Sequence, residues 1–344
     1  MPNTAIVGKA HAMYGRRLKS SDWEALISCS SVAEAAAYLK SNTAYHTVLS
    51  SLSERSTHRG VLEDLLHQRL MQEVLRLSRY DFDIGEHTAN YLIGQIEIDR
   101  ILHAVIRINS HEDAETTEPS AYLNSHTRFD QRAVDRAVTY DQLLEALQNT
   151  HYAKLMQPFR TPDGGMKDYA GLETALLTDL YTRLYQVIDH ETHGKERQAL
   201  HEMFDNEIDL GNYARIFRLK SYYHVTDAQV RACLLPFGTI PKDKMEQMIT
   251  AVTPSLVTSV MNSTRIGKRA LQMPYDLPGN LSKQIRYWQS WKNMLYSAES
   301  SVVMLSYIFL METELSALVN LIEGLRYGVP KAEIKRLLSP YKFG

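Results

Sequence analysis

Two sequence markers each occur three times, at similar intervals, along this chain of 344 residues. The first marker is a threonine, which a tyrosine follows two residues later in the first two copies: Thr43, Thr150 and Thr253. The second marker is an acidic residue at the head of a long apolar stretch: Asp99, Asp209 and Glu314. Because both markers repeat with similar spacing, the pattern indicates a triplicated chain. Three equivalent units favour a pseudo-threefold arrangement.

Composition favours an all-α fold. Glycine (16) and proline (11) are scarce, and good helix formers fill the long runs between the prolines. The sequence contains no sustained alternation of apolar and polar residues, which is the pattern that would predict a strand. We therefore expect three similar helical bundles, one per repeat, over residues 1–115, 116–230 and 231–344. The polar, acidic segment 111–119 is typical of a linker or an exposed loop between the first two repeats.

Apolar periodicity predicts several long helices. We expect helices over 61–78 and 88–108 in the first repeat, and over 204–223 in the second. In the third repeat the stretch 281–311 reads as one long helix or two, and a separate helix begins at the acidic residue and covers 314–326.

The recurring acidic residues have two interpretations. In the first, each acid stabilises the start of a helix or forms an internal ion pair with a basic residue of its own helix: Arg107, Arg215, Arg218 and Arg326. In the second, the acids line a shared surface that meets a basic partner. The candidate residues of such an interface are Asp99, Asp209, Glu314, Glu97, Glu207, Asn212 and Arg218.

No catalytic constellation is evident in the sequence. Phosphate-binding and dinucleotide-binding glycine motifs and the nucleophile-elbow motif are missing from the chain. His190 and His193 have helical metal-ligand spacing but no well-placed third ligand, and Asp64 with His67 has no second pair that would complete a di-iron bundle. We therefore expect no catalytic residue, no cofactor, no metal and no bound nucleotide.

Charge is balanced overall but uneven along the chain. The net charge of −2 gives no global field for nucleic acid. Segment 160–215 carries 6 basic and 11 acidic residues, whereas segment 265–292 carries 6 basic and 1 acidic. The last 14 residues carry 4 basic and 1 acidic. Ordinary solvated faces would account for this distribution, and so would an adaptor that meets two different partners.

The sequence predicts a cytoplasmic protein. Its most apolar run, 302–311, is about half the length of roughly 20 residues that a membrane-spanning helix needs. The N-terminus lacks the apolar stretch of a signal peptide. The two cysteines, Cys29 and Cys233, cannot form a disulfide framework and are expected to be reduced.

The chain resembles the C subunit of the prokaryotic V/A-type rotary ATPases and ATP synthases, whose counterpart in eukaryotic V-ATPases is the d subunit. The most specific phrase runs from Glu207-Ile-Asp209-Leu-Gly-Asn212 to Arg218-Leu-Lys220. Looser phrases match in order and spacing at 5–17, 31–45, 144–155 and 314–334. The first and third copies have Leu102 and Ala317 where the second has Asn212, so side-chain roles are not carried between copies.

The resemblance implies a funnel of three helical bundles on the cytoplasmic face of a membrane proteolipid ring. The end of the central rotor shaft would sit in the funnel, and the protein would pass torque between the shaft and the ring without binding nucleotide. We expect the candidate acids to shape the socket wall, and the basic segment 265–292 and the C-terminal residues to lie near the ring. The competing interpretations are a free-standing helical-repeat scaffold and, less favoured, a helical metalloenzyme.

Overall fold

The computed structural model describes residues 4–50, 59–81, 84–113, 121–223, 225–273 and 278–338. Within these ranges the protein is all-helical, and its only extended pairing is one isolated antiparallel bridge between Arg160 and Met166. The predicted all-α class is thus confirmed, while the arrangement as three bundles about a pseudo-threefold axis stays a prediction.

The described residues form nineteen α-helices and one short 3-10 helix, Gln157–Phe159. In chain order the α-helices are α1 (Thr4–Tyr14), α2 (Ser20–Ser28), α3 (Val32–Asn42), α4 (His46–Leu49), α5 (Arg59–Ser78), α6 (Gly85–Asn109), α7 (Ala121–Asn124), α8 (Gln131–Arg136), α9 (Tyr140–Ala146), α10 (His151–Met156), α11 (Tyr169–Glu191), α12 (Gly194–Tyr222), α13 (Asp227–Ala232), α14 (Lys242–Ile249), α15 (Pro254–Asn262), α16 (Arg265–Ala270), α17 (Pro278–Tyr296), α18 (Ser300–Arg326) and α19 (Lys331–Leu338).

The helices belong to two compact units. Unit 1 comprises residues 1–86, 194–200 and 274–344, and unit 2 comprises 87–193 and 201–273. Unit 1 therefore combines helices from the first and last parts of the chain, and unit 2 contains those from its middle. The division into repeats over 1–115, 116–230 and 231–344 is a different partition of the chain and stays a prediction.

Helix α18 forms the centre of unit 1. It packs against α17, α5, α1, α3 and α19, and every residue in 300–311 is buried. Within the described part of the chain, α18 is the one helix long and apolar enough to cross a membrane, and 83% of its most apolar window is buried inside the protein. A helix that is apolar on all sides belongs in the core of a protein or in a bilayer, and here other helices surround it.

Aromatic and leucine side chains form the interior of unit 2. The buried stripe of α11 follows the helical period: Leu172, Leu176, Leu180, Tyr181, Leu184, Tyr185 and Ile188. The Tyr91 ring of α6 lies 6.1 Å from the Tyr181 ring of α11 and 5.4 Å from the Phe204 ring of α12, measured between centroids. These contacts hold the three long helices of this unit together.

Some helix limits differ from the sequence expectations. The stretch 281–311 is divided between two helices, α17 and α18, and α18 continues without interruption through 314–326. Helix α12 likewise begins at Gly194, well before the expected start at 204. At Glu314, where the sequence predicts a helix start, α18 continues through the acidic residue without a break.

Candidate functional site: three buried acidic residues

Three long helices carry the candidate acids, and each has one fully buried carboxylate near its middle. Glu97 of α6, Asp209 of α12 and Glu314 of α18 each have 0% of their surface exposed. None of them lies at a helix start, so their negative charge does not stabilise unpaired N–H groups of their own helix. Because a buried carboxylate is costly unless hydrogen bonds and opposite charges offset the loss of hydration, the partners of each acid need to be identified.

Glu314 is held by the N-terminal part of unit 1. The Tyr45 hydroxyl donates a hydrogen bond to Oε1 of Glu314 at 2.9 Å, and the Leu18 backbone N–H donates to Oε2 at 3.1 Å. Arg17 and Arg69 supply positive charge nearby. The Arg69 guanidinium also lies 3.9 Å from the centroid of the Tyr45 ring. The acid thereby ties α18 to the chain before α2 and to the residue before α4.

Within unit 2, Glu97 likewise has a backbone N–H, an arginine and a tyrosine hydroxyl as partners. Its carboxylate accepts hydrogen bonds from the Arg128 backbone N–H and from the Arg128 guanidinium, with which it forms a salt bridge. The Tyr152 hydroxyl donates a third hydrogen bond, at 2.8 Å. The tyrosines of the first two Thr-x-Tyr phrases, Tyr45 and Tyr152, therefore both donate to a buried glutamate on a long helix.

Asp209 is held by a turn of the chain instead of by a tyrosine. The Thr239 backbone N–H and hydroxyl donate to its Oδ2, each at 2.9 Å, and the Ile240 N–H donates to Oδ1 at 3.3 Å. Gly238 makes this close approach possible. Its φ is +104°, and a Cβ atom at this position would lie 2.1 Å from Oδ1 of Asp209.

The three acids share one local arrangement, which we call the acid anchor. In each, the carboxylate accepts a backbone N–H from a residue two or three positions before a short helix: Leu18 before α2, Arg128 before α8, and Ile240 before α14. Since each anchor joins a long helix to a short-helix segment distant in sequence, it fixes the packing of both. Two of the three recurring acids, Asp209 and Glu314, form such anchors, whereas in the first copy Glu97 does so and Asp99 is exposed.

Thr264, a threonine other than the predicted third marker Thr253, makes one hydrogen bond of the same kind as Thr43 and Thr150. The hydroxyls of Thr43, Thr150 and Thr264 each donate to a backbone carbonyl three or four residues earlier, at 2.7 to 2.8 Å, and each precedes a short helix. Thr253, the predicted third marker, caps α15, where its hydroxyl accepts a hydrogen bond from the Leu256 N–H, and Thr264 likewise caps α16, where its hydroxyl accepts from the Gly267 N–H. Ile266 follows Thr264 at the tyrosine position and cannot donate, and at Asp209 the Thr239 hydroxyl supplies this hydrogen bond.

The other candidate residues differ in exposure. Asn212 is buried and exchanges two hydrogen bonds of 2.9 Å with the backbone of Leu235. Glu207 is half-buried, whereas Asp99 and Arg218 are exposed. Of the seven candidates, Glu97, Asp209, Glu314 and Asn212 are thus bonded within the protein. Asp99 and Arg218 present their side chains to solvent.

The expected ion pairs between each acid and an arginine of its own helix do not form the anchors. Arg107 donates to the backbone carbonyls of Val134 and Ala137, and Arg215 forms a salt bridge with Glu173. The charged partners of the anchors come from other elements: Arg128 for Glu97, and Arg17 with Arg69 for Glu314. Sequence reasoning missed these residues because contact over such separations leaves no spacing signal. The sequence contains one signal for these partners, because a basic residue lies shortly before a short helix at Arg17 and at Arg128.

Burial changes the acid–base behaviour of two of the anchors. Loss of hydration raises the pKa of Glu314 from 4.5 to about 6, although Arg17, Arg69 and the hydrogen bonds from Tyr45 and Leu18 lower it in part. Burial also raises the pKa of Asp209, and the hydrogen bonds from Thr239 and Ile240 oppose this rise. The donors therefore offset only part of the cost of burying these charges.

The histidine pair of the metal hypothesis lies at the junction of α11 and α12. The Nδ1 atom of His190 contacts Glu191 at 2.9 Å, and His193 is the residue before the first turn of α12. In the ranges given above, no group of three or more His, Cys, Asp or Glu side chains is arranged to hold a metal ion.

Comparison with known proteins identifies the family. A family model described as the ATP synthase (C/AC39) subunit matches residues 6–337, which is nearly the whole chain. No curated protein matched the chain. The family is a structural subunit of a membrane-associated ATPase complex. The chain therefore belongs to the ATP synthase (C/AC39) subunit family and is a subunit of a V/A-type ATPase.

Proposed function

We propose that this protein is the socket of the central stalk, which links the rotor shaft to the membrane proteolipid ring and transmits torque between them. In this role it is non-catalytic, lies peripherally on the cytoplasmic side of the membrane and couples ATP hydrolysis or synthesis to proton or sodium transport. The family match over residues 6–337 is the observation that carries the proposal, because it spans both units.

The acid anchors support a torque-bearing role. A body that transmits torque has to resist twisting of its long helices relative to the segments packed on them. Each anchor holds the middle of a long helix through a buried carboxylate with two or more donors. Breaking one partner of a buried charge costs about 3–5 kcal/mol, so these contacts resist deformation more strongly than surface ion pairs.

The exposure of the candidate residues suggests separate roles in the proposed socket. Asp99 and Arg218 are exposed and are available to meet the shaft directly. Glu97, Asp209, Glu314 and Asn212 would act by holding the wall in shape. Contacts between exposed charges are screened by salt, so binding through Asp99 and Arg218 would weaken as ionic strength rises.

The basic segments are proposed to face the proteolipid ring. Arg265 and Lys268 of α16 are exposed, and so are Lys283 and Lys292 of α17. The residues 339–344 of the C-terminal stretch lie outside the described residues. Crosslinks from α16, α17 or α19 to proteins of the ring would support this placement, and crosslinks confined to the catalytic head would overturn it.

Co-purification tests the proposed partners and the competing scaffold hypothesis together. The tagged protein is isolated from its own cells in mild detergent, and the bound proteins are identified by mass spectrometry. We expect rotor-shaft and proteolipid subunits in stoichiometric amounts. A free-standing scaffold would be recovered without either of them, and that result would reject the proposal.

The exposed charges are tested by shaft binding across a salt series. Asp99→Asn and Arg218→Ala are expected to weaken binding at low salt and to flatten its salt dependence. Glu24→Gln, which removes a charge from an exposed position of α2 in unit 1, serves as a control for the loss of one surface charge. Affinities of D99N and R218A that follow the wild type across the series would exclude both residues from the interface.

A further inference from the structure

Residues of α6 and α11, together with Arg128, line a cavity of about 520 Å³ in unit 2. Its wall combines the side chains of Arg128 and Arg183 with four apolar ones: Tyr91, Leu180, Leu184 and Val187. Cavities of this size that pair an apolar wall with a few polar groups are typical of binding sites for small molecules. All the lining residues belong to one compact unit, so the cavity is formed within that unit.

Both arginines are accessible and have donors to spare. The Arg128 guanidinium donates to Glu97 through Nη1, and 34% of its side chain is exposed. The Arg183 guanidinium donates through Nη2 to Asp179 and to Nε2 of His151, and 42% of its side chain is exposed. Nε and Nη2 of Arg128 and Nη1 of Arg183 make no hydrogen bond to any residue that the structure describes. Because a guanidinium carries five N–H donors in a fixed fork, each arginine is able to bind a second acceptor.

The carboxylates that pair with the two arginines, Glu97 and Asp179, do not line the cavity. They hold the guanidiniums in place, which reduces the entropy that a ligand loses on binding. The positive charges dominate beside the arginines: burial lowers the pKa of His151, Arg183 and Arg128 lower it further, and Asp179 raises it less than Arg183 lowers it. Glu191, the acid that does line the cavity, lies more than two turns beyond Arg183, about 12 Å further along α11.

We propose that this cavity binds a small organic anion, whose phosphate or carboxylate head contacts Arg128 and Arg183 and whose apolar body packs on Val187. Guanidinium forks match the oxygens of phosphates and carboxylates. Val187 is half-buried and lies one helical turn after Arg183 on the same face of α11, so an apolar surface adjoins the guanidinium. An anion with an apolar body therefore gains from both parts of the wall. The proposal rests on these residues and does not depend on the function proposed above.

Calorimetric titration of the purified protein at constant ionic strength tests whether both parts of the wall are used. The probes are 2-naphthyl phosphate and 2-naphthoate, and the fragments for comparison are inorganic phosphate and 2-naphthol. We expect one of the two naphthyl anions, at least, to bind about tenfold or more tightly than either fragment, because only it reaches both the arginines and the apolar wall. Binding of neither naphthyl anion would overturn the proposal, and so would equal affinities for the naphthyl anion and one of the fragments.

Two variants test the residues independently, with the more tightly bound naphthyl anion as the probe. Arg183→Ala removes charge-assisted hydrogen bonds and is expected to weaken binding about tenfold or more. Val187→Glu places a negative charge on the apolar wall and is expected to weaken binding by a similar factor, because like charges repel. Both side chains are partly exposed, and the second variant leaves the ion pair between Arg183 and Asp179 intact if the first one fails to fold.

Arg231→Ala and Val138→Glu are the matched controls, because both residues belong to unit 2 and neither lines the cavity. Arg231 also pairs with a carboxylate, that of Glu246, and 51% of its side chain is exposed. Val138 has 48% of its surface exposed. Both controls are expected to bind the probe within about twofold of the wild type, since charges outside the cavity contribute little. Affinities of R183A and V187E equal to those of these controls would place the probe elsewhere and overturn the proposal.

Discussion

The Tyr45 hydroxyl donates a hydrogen bond to the buried carboxylate of Glu314 at 2.9 Å, although 269 residues separate the two in sequence. This bond joins the N-terminal part of unit 1 to its central helix, α18. The Arg69 guanidinium lies over the same tyrosine ring and forms a salt bridge with Glu73. Glu73 in turn accepts from the Tyr307 hydroxyl of α18. Glu314 is thus one end of a polar network that links α4, α5 and α18.

Replacing Tyr45 by phenylalanine isolates the hydroxyl of this network. We expect Tyr45→Phe to lower the free energy of unfolding by about 1.5–3 kcal/mol, the range for a hydrogen bond to a charged group. The ring and its contact with Arg69 are retained. Denaturant unfolding measures the difference, with Tyr222→Phe as the control because 76% of the Tyr222 surface is exposed. An equal effect of both substitutions would contradict the role given to Tyr45.

Glu314 is expected to make stability depend on pH. Its folded-state pKa of about 6 lies above the ordinary 4.5, so the folded protein binds this proton more tightly than the unfolded chain. The stabilisation from this proton is complete below pH 4.5 and is lost as pH rises to about 6. The difference corresponds to about 2 kcal/mol of unfolding free energy.

The pH effect is measured as the difference between wild type and Glu314→Gln in unfolding free energy at several pH values. The variant also loses one acceptor, which adds an offset at every pH, so the informative quantity is the slope. We expect the wild type to lose stability relative to E314Q as pH rises from 4.5 to 6. Parallel curves over this range would show that the carboxyl titrates as an ordinary one.

Gly238 is expected to be irreplaceable at the Asp209 anchor. Gly238→Ala places a Cβ atom 2.1 Å from Oδ1 of Asp209 and strains a backbone with φ of +104°. Gly328 also has a positive φ, of +65°, but a Cβ there would meet nothing within 4 Å. We expect Gly328→Ala to cost about 1 kcal/mol from backbone strain and Gly238→Ala to cost more, because the side-chain clash adds to the strain. Equal losses of melting temperature would rule out the clash.

We expect the effects of substituting Glu97 and Arg128 on the unfolding free energy to be coupled. Glu97→Gln, Arg128→Ala and the double variant form a double-mutant cycle in unfolding free energy. Because the two side chains form a salt bridge with Glu97 fully buried, we expect a coupling energy of about 1–3 kcal/mol. Additive effects within error would mean that the backbone N–H of Arg128 and the Tyr152 hydroxyl, not the ion pair, hold Glu97.

Much of the helical fold could be predicted from the sequence, but the partners of the acids could not. Glu97 and Asp99 lie two residues apart on one helix and so point in different directions, and only packing decides which of them is buried. The third threonine marker stays a prediction, because Thr253 and Thr264 both cap short helices and a capping hydroxyl looks the same in sequence as the marker residue. Arg128 lies 31 residues from Glu97, and periodicity carries no signal over that distance.

Coupling in the reassembled ATPase complex tests the proposed function most directly. The complex is reconstituted into sealed vesicles with and without this protein, and ATP hydrolysis and ion uptake are measured in parallel. If the protein transmits torque from shaft to ring, hydrolysis continues without it while ATP-driven ion uptake is lost, and adding the protein back restores uptake. Undiminished ion uptake per ATP in its absence would contradict the account.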